Sequence, residues 1–368
     1  SFLKTLTSYR ISVDGSNNIY NISETDNYGS SVEETENLLK GEDVGTFIMT
    51  GTKNILFGIR IGGKLTTGNH NVMMGANLGN YAYSISDNVL IGIDAGNIIT
   101  TSKHVIIGSN TASSLVTGTR NNIIGYNACS SANNITDITL MGANSGLLLD
   151  TSSNMVIIGN DLAPILGDGV KSVIIGTQTS TLLEDGERNI IIGNDTLKRI
   201  TDVDDIVIIG NKAGENITSG NQTVIIGANA GRNIAGITNS VVIGKSAGSG
   251  RAISSSSKIT IIGHNAGSNI GSVTKTVIIG SNIGQNMSND ATMNLLIGGF
   301  GTGNQITNGS NVIVLGSYSA SVSTTGKRNI IMGNHSGQLL DTTDDIIIFG
   351  HNSGSNISGG DDSDDKAI

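Results

Sequence analysis

The chain has 368 residues, 51 of them glycine and one proline, with no tryptophan and only 3 % aromatic residues. Its formal net charge of −9 and isoelectric point near 4.9 argue against binding nucleic acid or an anionic membrane surface. No apolar run reaches the ~18 residues that span a bilayer, no secretory signal is visible, and a single Cys129 excludes an intrachain disulfide framework.

Residues 1–50 differ from the rest. They hold five of the twelve aromatics (Phe2, Tyr9, Tyr20, Tyr28 and Phe47) and an acidic run around Val32 to Lys40 that reads as helical. Repeat arrays need ends that cover an open sheet edge, so this segment is expected to be a cap or a joint to another module. A binding tip is the second reading of it.

From residue 51 to residue 358 the chain follows a 17-residue beat. Each beat is a short strand closed by glycine, Val-Ile-Ile-Gly or a near variant, from Gly58 and Gly75 to Gly333 and Gly350. There are eighteen copies, and thirteen of the seventeen gaps between closing glycines are 17 residues. A fixed period too short for a domain marks units that stack on one another. In residues 223–239, Thr223 to Ile226 is a β-branched strand and Gly227 turns the chain with φ > 0. A second short apolar element follows at Ile234, and a second turn leads to the next copy. Two strands and two turns per copy predict an all-β parallel β-solenoid, or β-roll, of about 18 rungs with two sheets.

Three columns refine this. Two residues past the closing glycine stand Asn77, Asn110, Asn127, Asn144, Asn229, Asn265, Asn282 and Asn352, read as a ladder of side-chain amides bonding copy to copy at a turn. Four past it, glycine or a small residue such as Ala112, Cys129, Ala163 or Ser180 suggests close backbone approach. Seven past it, Leu65, Ile99, Leu115, Leu149, Ile217, Ile234 and their equivalents form an apolar column.

Strand side chains alternate between faces, yet the three positions before each closing glycine are usually all apolar. A thin coil buries one face only, so the middle column is expected to be a surplus stripe. That stripe, Ile106, Ile123, Leu140, Ile157, Ile174, Ile191, Ile208, Ile225, Val242, Ile261 and Ile278, is read as the seam of an oligomer. A stripe parallel to the coil axis suits a cyclic arrangement, and a homotrimer is expected. A wider monomeric coil enclosing both faces is the alternative.

The stretches Val224-Ile225-Ile226-Gly227-Ala228-Asn229-Ala230-Gly231 and Thr260-Ile261-Ile262-Gly263-His264-Asn265-Ala266-Gly267 resemble the head repeats of trimeric autotransporter adhesins and the repetitive shafts of trimeric phage and viral fibres. The resemblance covers about residues 54–357. It implies a parallel β-roll wound as a trimer and used for attachment. The adhesin coil is shorter than 17 residues, which favours a fibre relative.

Residues 359–368, Gly-Gly-Asp-Asp-Ser-Asp-Asp-Lys-Ala-Ile, read as an acidic, solvated tail whose aspartates are not spaced as a calcium loop. No catalytic, cofactor-binding or metal-binding residues are assigned. His70, His104, His264, His335 and His351 are scattered over different copies, Cys129 reads as a buried inert thiol, and the glycine turns do not open helices that could cradle phosphate. Hexapeptide acyltransferase repeats fail because Arg232 stands where the next apolar residue should be. An ice-binding face would need the threonines at Thr67, Thr101, Thr117, Thr151, Thr307, Thr325 and Thr342 to run on, but Asp168, Asp185 and Asp202 interrupt them. The expected function is a non-enzymatic structural or adhesive fibre at a virion or cell surface. Its expected partners are further copies of itself and a surface receptor, a glycan among the candidates, with neither nucleic acid nor membrane insertion. An ice-binding or other surface-binding solenoid is the alternative, and an enzyme carried on the coil a more distant one.

Overall fold

The computed structural model describes residues 20–22, 37–46, 50–162, 165–166, 171–180, 186–199, 203–250, 256–287, 291–323, 325–340 and 342–357. The acidic tail lies outside the described residues. The chain divides into two compact units, residues 1–175 and 176–368. Among the described residues it is all-β without helix, a parallel β-solenoid of about 17 turns with a period of about 17 residues.

In the first unit, β1 (Tyr20–Ile22) is followed by β2 (Asn37–Val44), β3 (Ile55–Ile61), β4 (Val72–Leu78) and β5 (Val89–Ile93). From β2 onward each strand pairs in parallel with the next, in a register that places Gly41 against Gly58, Gly58 against Gly75, and Gly75 against Gly92. The repeat therefore starts one copy earlier than the eighteen read from sequence. The described part of the acidic run, Asn37 to Lys40, is strand and not helix. Asn37 and Leu39 point inward while Leu38 and Lys40 are exposed, the period-2 alternation of a half-buried strand. β1 pairs antiparallel to β2, Tyr20 opposite Leu39 and Ile22 opposite Asn37, and so covers the first parallel edge.

The second unit repeats the pattern in ten strands from Ile190–Asn194 to Ile347–Phe349. Ile191, Ile208, Ile225, Val242, Ile261 and Ile278 follow one another in register. A weaker second ladder runs through the element six and seven residues past the closing glycine. There Leu148–Leu149 pairs with Ile165–Leu166 in the first unit, and Val322–Ser323 with Leu339–Leu340 in the second.

Two kinds of glycine keep the coil narrow. At the closing position, Gly75 has φ +140, and a Cβ there would lie 1.8 Å from the carbonyl oxygen of Gly92 in the next turn, so neither conformation nor space admits a side chain. Four residues on, what limits size is not backbone. A Cβ on Gly146 would meet Leu140 Cδ1 at 2.7 Å and Leu149 Cδ1 at 2.8 Å, because this left-handed corner sits between the two apolar columns of the core.

Candidate functional site

The interior of each coil settles which face of the main strand is outside. Leu56, Met73, Leu90, Ile106, Ile123, Leu140 and Ile157 are fully buried in the first unit, as are Ile191, Ile225, Val242, Ile261 and Ile278 in the second, with Ile208 nearly so. Ile174 is likewise fully buried. They pack on the column seven past the glycine, where Leu65, Ile99, Leu115, Leu149, Ile234 and Ile270 are also fully buried. The stripe read as an oligomer seam is thus the core of the single chain, and Ile106, Ile123, Leu140, Ile157, Ile174, Ile191, Ile208, Ile225, Val242, Ile261 and Ile278 are unavailable to a partner. Both parities of the strand are apolar, and the turn chemistry that selects the inward one is not visible in the strand itself.

The surplus apolar surface exists on the opposite parity. The positions one and three before the glycine face outward in every described turn and are half-buried or exposed. Ile55 is 38 % exposed, Met74 43 %, Met141 43 %, Ile190 39 %, Ile297 39 % and Phe349 61 %. Two parallel apolar columns therefore run along the outer sheet face of each unit, Val224 and Ile226 beside Val241 and Ile243, for example.

Polar corners border this face, each held in the left-handed region. Five residues before the glycine stand Arg120 (φ 59), Asp137 (φ 58), Arg188 (φ 58), Asp205 (φ 57), Arg328 (φ 58) and Asp345 (φ 61). Arg120 donates to Asp137 through Nε at 2.6 Å and Nη2 at 2.7 Å, and Arg188 to Asp205 at 2.6 and 3.1 Å. Arg328 repeats the fork on Asp345 at 2.5 and 2.7 Å. These hydrogen bonds lower the pKa values of Asp137 and Asp205 and raise those of the three arginines. Such water-exposed pairs contribute little to stability; their fixed spacing makes a polar rim for the apolar face.

The opposite corner carries the asparagines two past the glycine. Asn110 Nδ2 donates to Asn127 Oδ1 at 2.6 Å, Asn127 to Asn144 at 3.2 Å, and Asn144 to Asp161 at 3.2 Å. Asn265 donates to Asn282 at 3.0 Å, and Asn77 accepts from Arg60 Nε at 2.7 Å. Asn229 and Asn352 share the left-handed corner with φ 56 each. The amide-to-amide links thus form short runs, and Asp161 and Arg60 continue the bonding where the neighbouring copy has no asparagine.

A second set of polar side chains went unread in the sequence. Four residues before the glycine, Asn37, Asn54, Asn71, Asn88 and Asn121 are buried, as are Asn189, Asn294 and Asn329. Asn54, Asn71, Asn121, Asn189 and Asn329 each donate to the carbonyl 14 residues ahead, and the oxygen accepts the backbone N–H 17 residues ahead for Asn37, Asn54, Asn71, Asn121, Asn189 and Asn329. Three past the glycine, Thr111, Ser145, Thr179 and Thr196 donate to the next closing glycine's carbonyl at 2.5–2.8 Å. The recurrence of asparagine at one offset was the available signal; its polarity disguised an inward position. His104 takes an asparagine's place in this column. Burial pushes its pKa down to about 4 against the opposing effect of a hydrogen bond with the Gly118 backbone. Cys129 is buried and its thiol pKa is driven up by desolvation, so it is unreactive.

Among the described residues no three metal-ligating side chains cluster. A small, partly open cavity of about 10 Å³ lies beside Leu197, Ile208 and Ile217, room for a single water at most. Among the described residues no helix is long and apolar enough to cross a membrane. Comparison of the chain with protein-family models, curated proteins and solved structures gives no match.

Proposed function

We propose that the chain is the shaft of a structural, adhesive fibre that assembles as a homotrimer and projects or forms an attachment module on a virion, phage or cell surface. The supporting observation is the pair of outward apolar columns repeated turn after turn between polar corners. With strands ~4.8 Å apart and three residues of ~3.4 Å across the face, the ten strands of the second unit present roughly 500 Å² of flat apolar area. That is near the top of the range a monomer leaves in water. Covering it with identical copies matches the spacing of the columns automatically, since every copy has the same rise per turn. The resemblance of the repeats to trimeric fibre shafts and adhesin heads points the same way, and the reading assigns no catalysis.

The mass of the native particle by sedimentation equilibrium tests this. Three chains per particle are expected, and a monomer at micromolar concentration in mild buffer overturns it. The shaft role is tested separately by deleting one copy in register, Val207 to Thr223. A spacer keeps its fold and its attachment, a repeated adhesive face loses avidity gradually as copies are removed, and an enzyme loses activity abruptly at one copy.

A further inference from the structure

Two residues past the closing glycines Gly298, Gly316 and Gly333 of the second unit stand Phe300, Tyr318 and His335, and one residue past Gly350 stands His351. Elsewhere the position two past the glycine is mostly asparagine, aspartate or small residues. Phe300 and Tyr318 lie with centroids 5.5 Å apart, Tyr318 and His335 are stacked at 4.8 Å with planes 6° apart, and His351 stands edge-on to His335 at 6.1 Å.

The stack fixes the plane of the His335 ring, and its Nδ1 lies 2.7 Å from Gln338 Nε2. Gln338 therefore occupies one ring nitrogen. The amide nitrogen faces Nδ1 here; a metal on Nε2 puts the ring proton on Nδ1 and requires the Gln338 amide to reverse, so that its oxygen accepts as the outer-shell partner of a metal-bound histidine ordinarily does. Two imidazoles on one tetrahedral metal, with N–metal bonds of about 2.1 Å, have centroids about 5.3 Å apart. The observed centroids are 6.1 Å apart with the planes at 86°, so the exposed His351 has to rotate to bring a nitrogen onto the same ion.

We propose that His335 and His351 form a two-histidine site for a borderline divalent transition metal, Zn²⁺, Ni²⁺ or Cu²⁺, with water completing the shell. Imidazole ligands select these ions over Ca²⁺ and Mg²⁺. A bound ion joins two successive turns at the corner and raises the thermal midpoint of the folded state by mass action.

The full chain is titrated with Zn²⁺ by calorimetry at mildly alkaline pH, with Ca²⁺ as control. Saturable binding of about one Zn²⁺ per chain is expected, lost in both His335→Ala and His351→Ala, and weakened about tenfold in Gln338→Leu. Zn²⁺ should raise the thermal midpoint of the parent chain but not of His351→Ala, whose metal-free melting matches the parent because the residue is exposed. Unchanged binding in either histidine variant, or the same response to Ca²⁺, overturns the assignment.

Discussion

Asn71 Nδ2 donates to Asn54 Oδ1 at 2.9 Å, and both residues are fully buried. The same Nδ2 reaches Ile85 O at 2.7 Å, while Asn71 Oδ1 accepts from Asn88 N at 3.2 Å and Asn88 Nδ2 at 2.9 Å. One side chain thus ties three turns together with all its capacity used. Asn71→Ala should lose about 3–5 kcal/mol, because several buried groups lose partners at about 1–3 kcal/mol each. Asn71→Asp should be at least as damaging, since a carboxylate cannot donate to Ile85 O. Denaturant midpoints measure both; a loss below 1 kcal/mol would show that the column is dispensable.

His104 gives the fold a pH dependence. Its imidazole is fully buried, with Nε2 3.0 Å from Thr101 Oγ1 and Nδ1 accepting from Asn121 N–H at 3.4 Å. The unfolded chain takes up a proton near the ordinary histidine value of 6.5 and the folded chain only near 4. Stability is therefore complete above pH 6.5 and declines as pH falls toward 4, by about 3 kcal/mol for this group. His104→Asn, which restores the residue type of the column, should flatten that part of the pH profile. An unchanged slope in the variant would place the effect elsewhere.

Ser180 stands at the corner most often given to glycine, with φ +53 and a buried hydroxyl that has no partner among the described residues. Ser180→Gly removes both the left-handed strain of about 1–2 kcal/mol and the unpaired group. After the entropy that glycine costs on folding, a gain of about 1–2 kcal/mol is expected. Thermal unfolding decides; a lower midpoint contradicts the prediction.

Ile225 and Ile226 are neighbours on opposite faces, the first fully buried and the second half-exposed. Ile225→Asp should unfold the surrounding turns, an unpaired charge in the core costing about 3–5 kcal/mol. Ile226→Asp should leave circular dichroism and melting of the coil close to the parent while lowering the particle mass toward one chain. Equal assembly in both would remove the outer face as the contact between copies.

The period, the parallel stacking and the closing glycines were legible because each rests on one residue type with one conformational reason. The direction of the strand was not. Val224 and Ile226 form an unbroken apolar parity and look like core, whereas the inward parity pairs Ile225 with Thr223, and in other copies Ile191 with Asn189 or Met73 with Asn71. An inward polar residue four before the glycine made the true core parity look like the mixed, solvent-facing one. The described end of the acidic run misled for a related reason: Glu33 to Lys40 has charges enough for a helix surface, but its Leu39-Lys40-Gly41 end already follows the beat of the strands. The metal corner was hidden because His335 and His351 lie 16 residues apart in sequence and meet only when two turns are stacked.

The hydrogen bonds of the interior almost all join residues 14 or 17 positions apart. In a chain of 368 residues a separation of 17 is about 0.05 of the length, below the values of helical bundles and far below those of sandwiches and barrels. An all-β chain is thereby given the short-range wiring of a helical one. Each asparagine awaits carbonyl and amide groups delivered by the very next turn, so the structure can be laid down in the order in which it is synthesised, with never more than one turn unfinished.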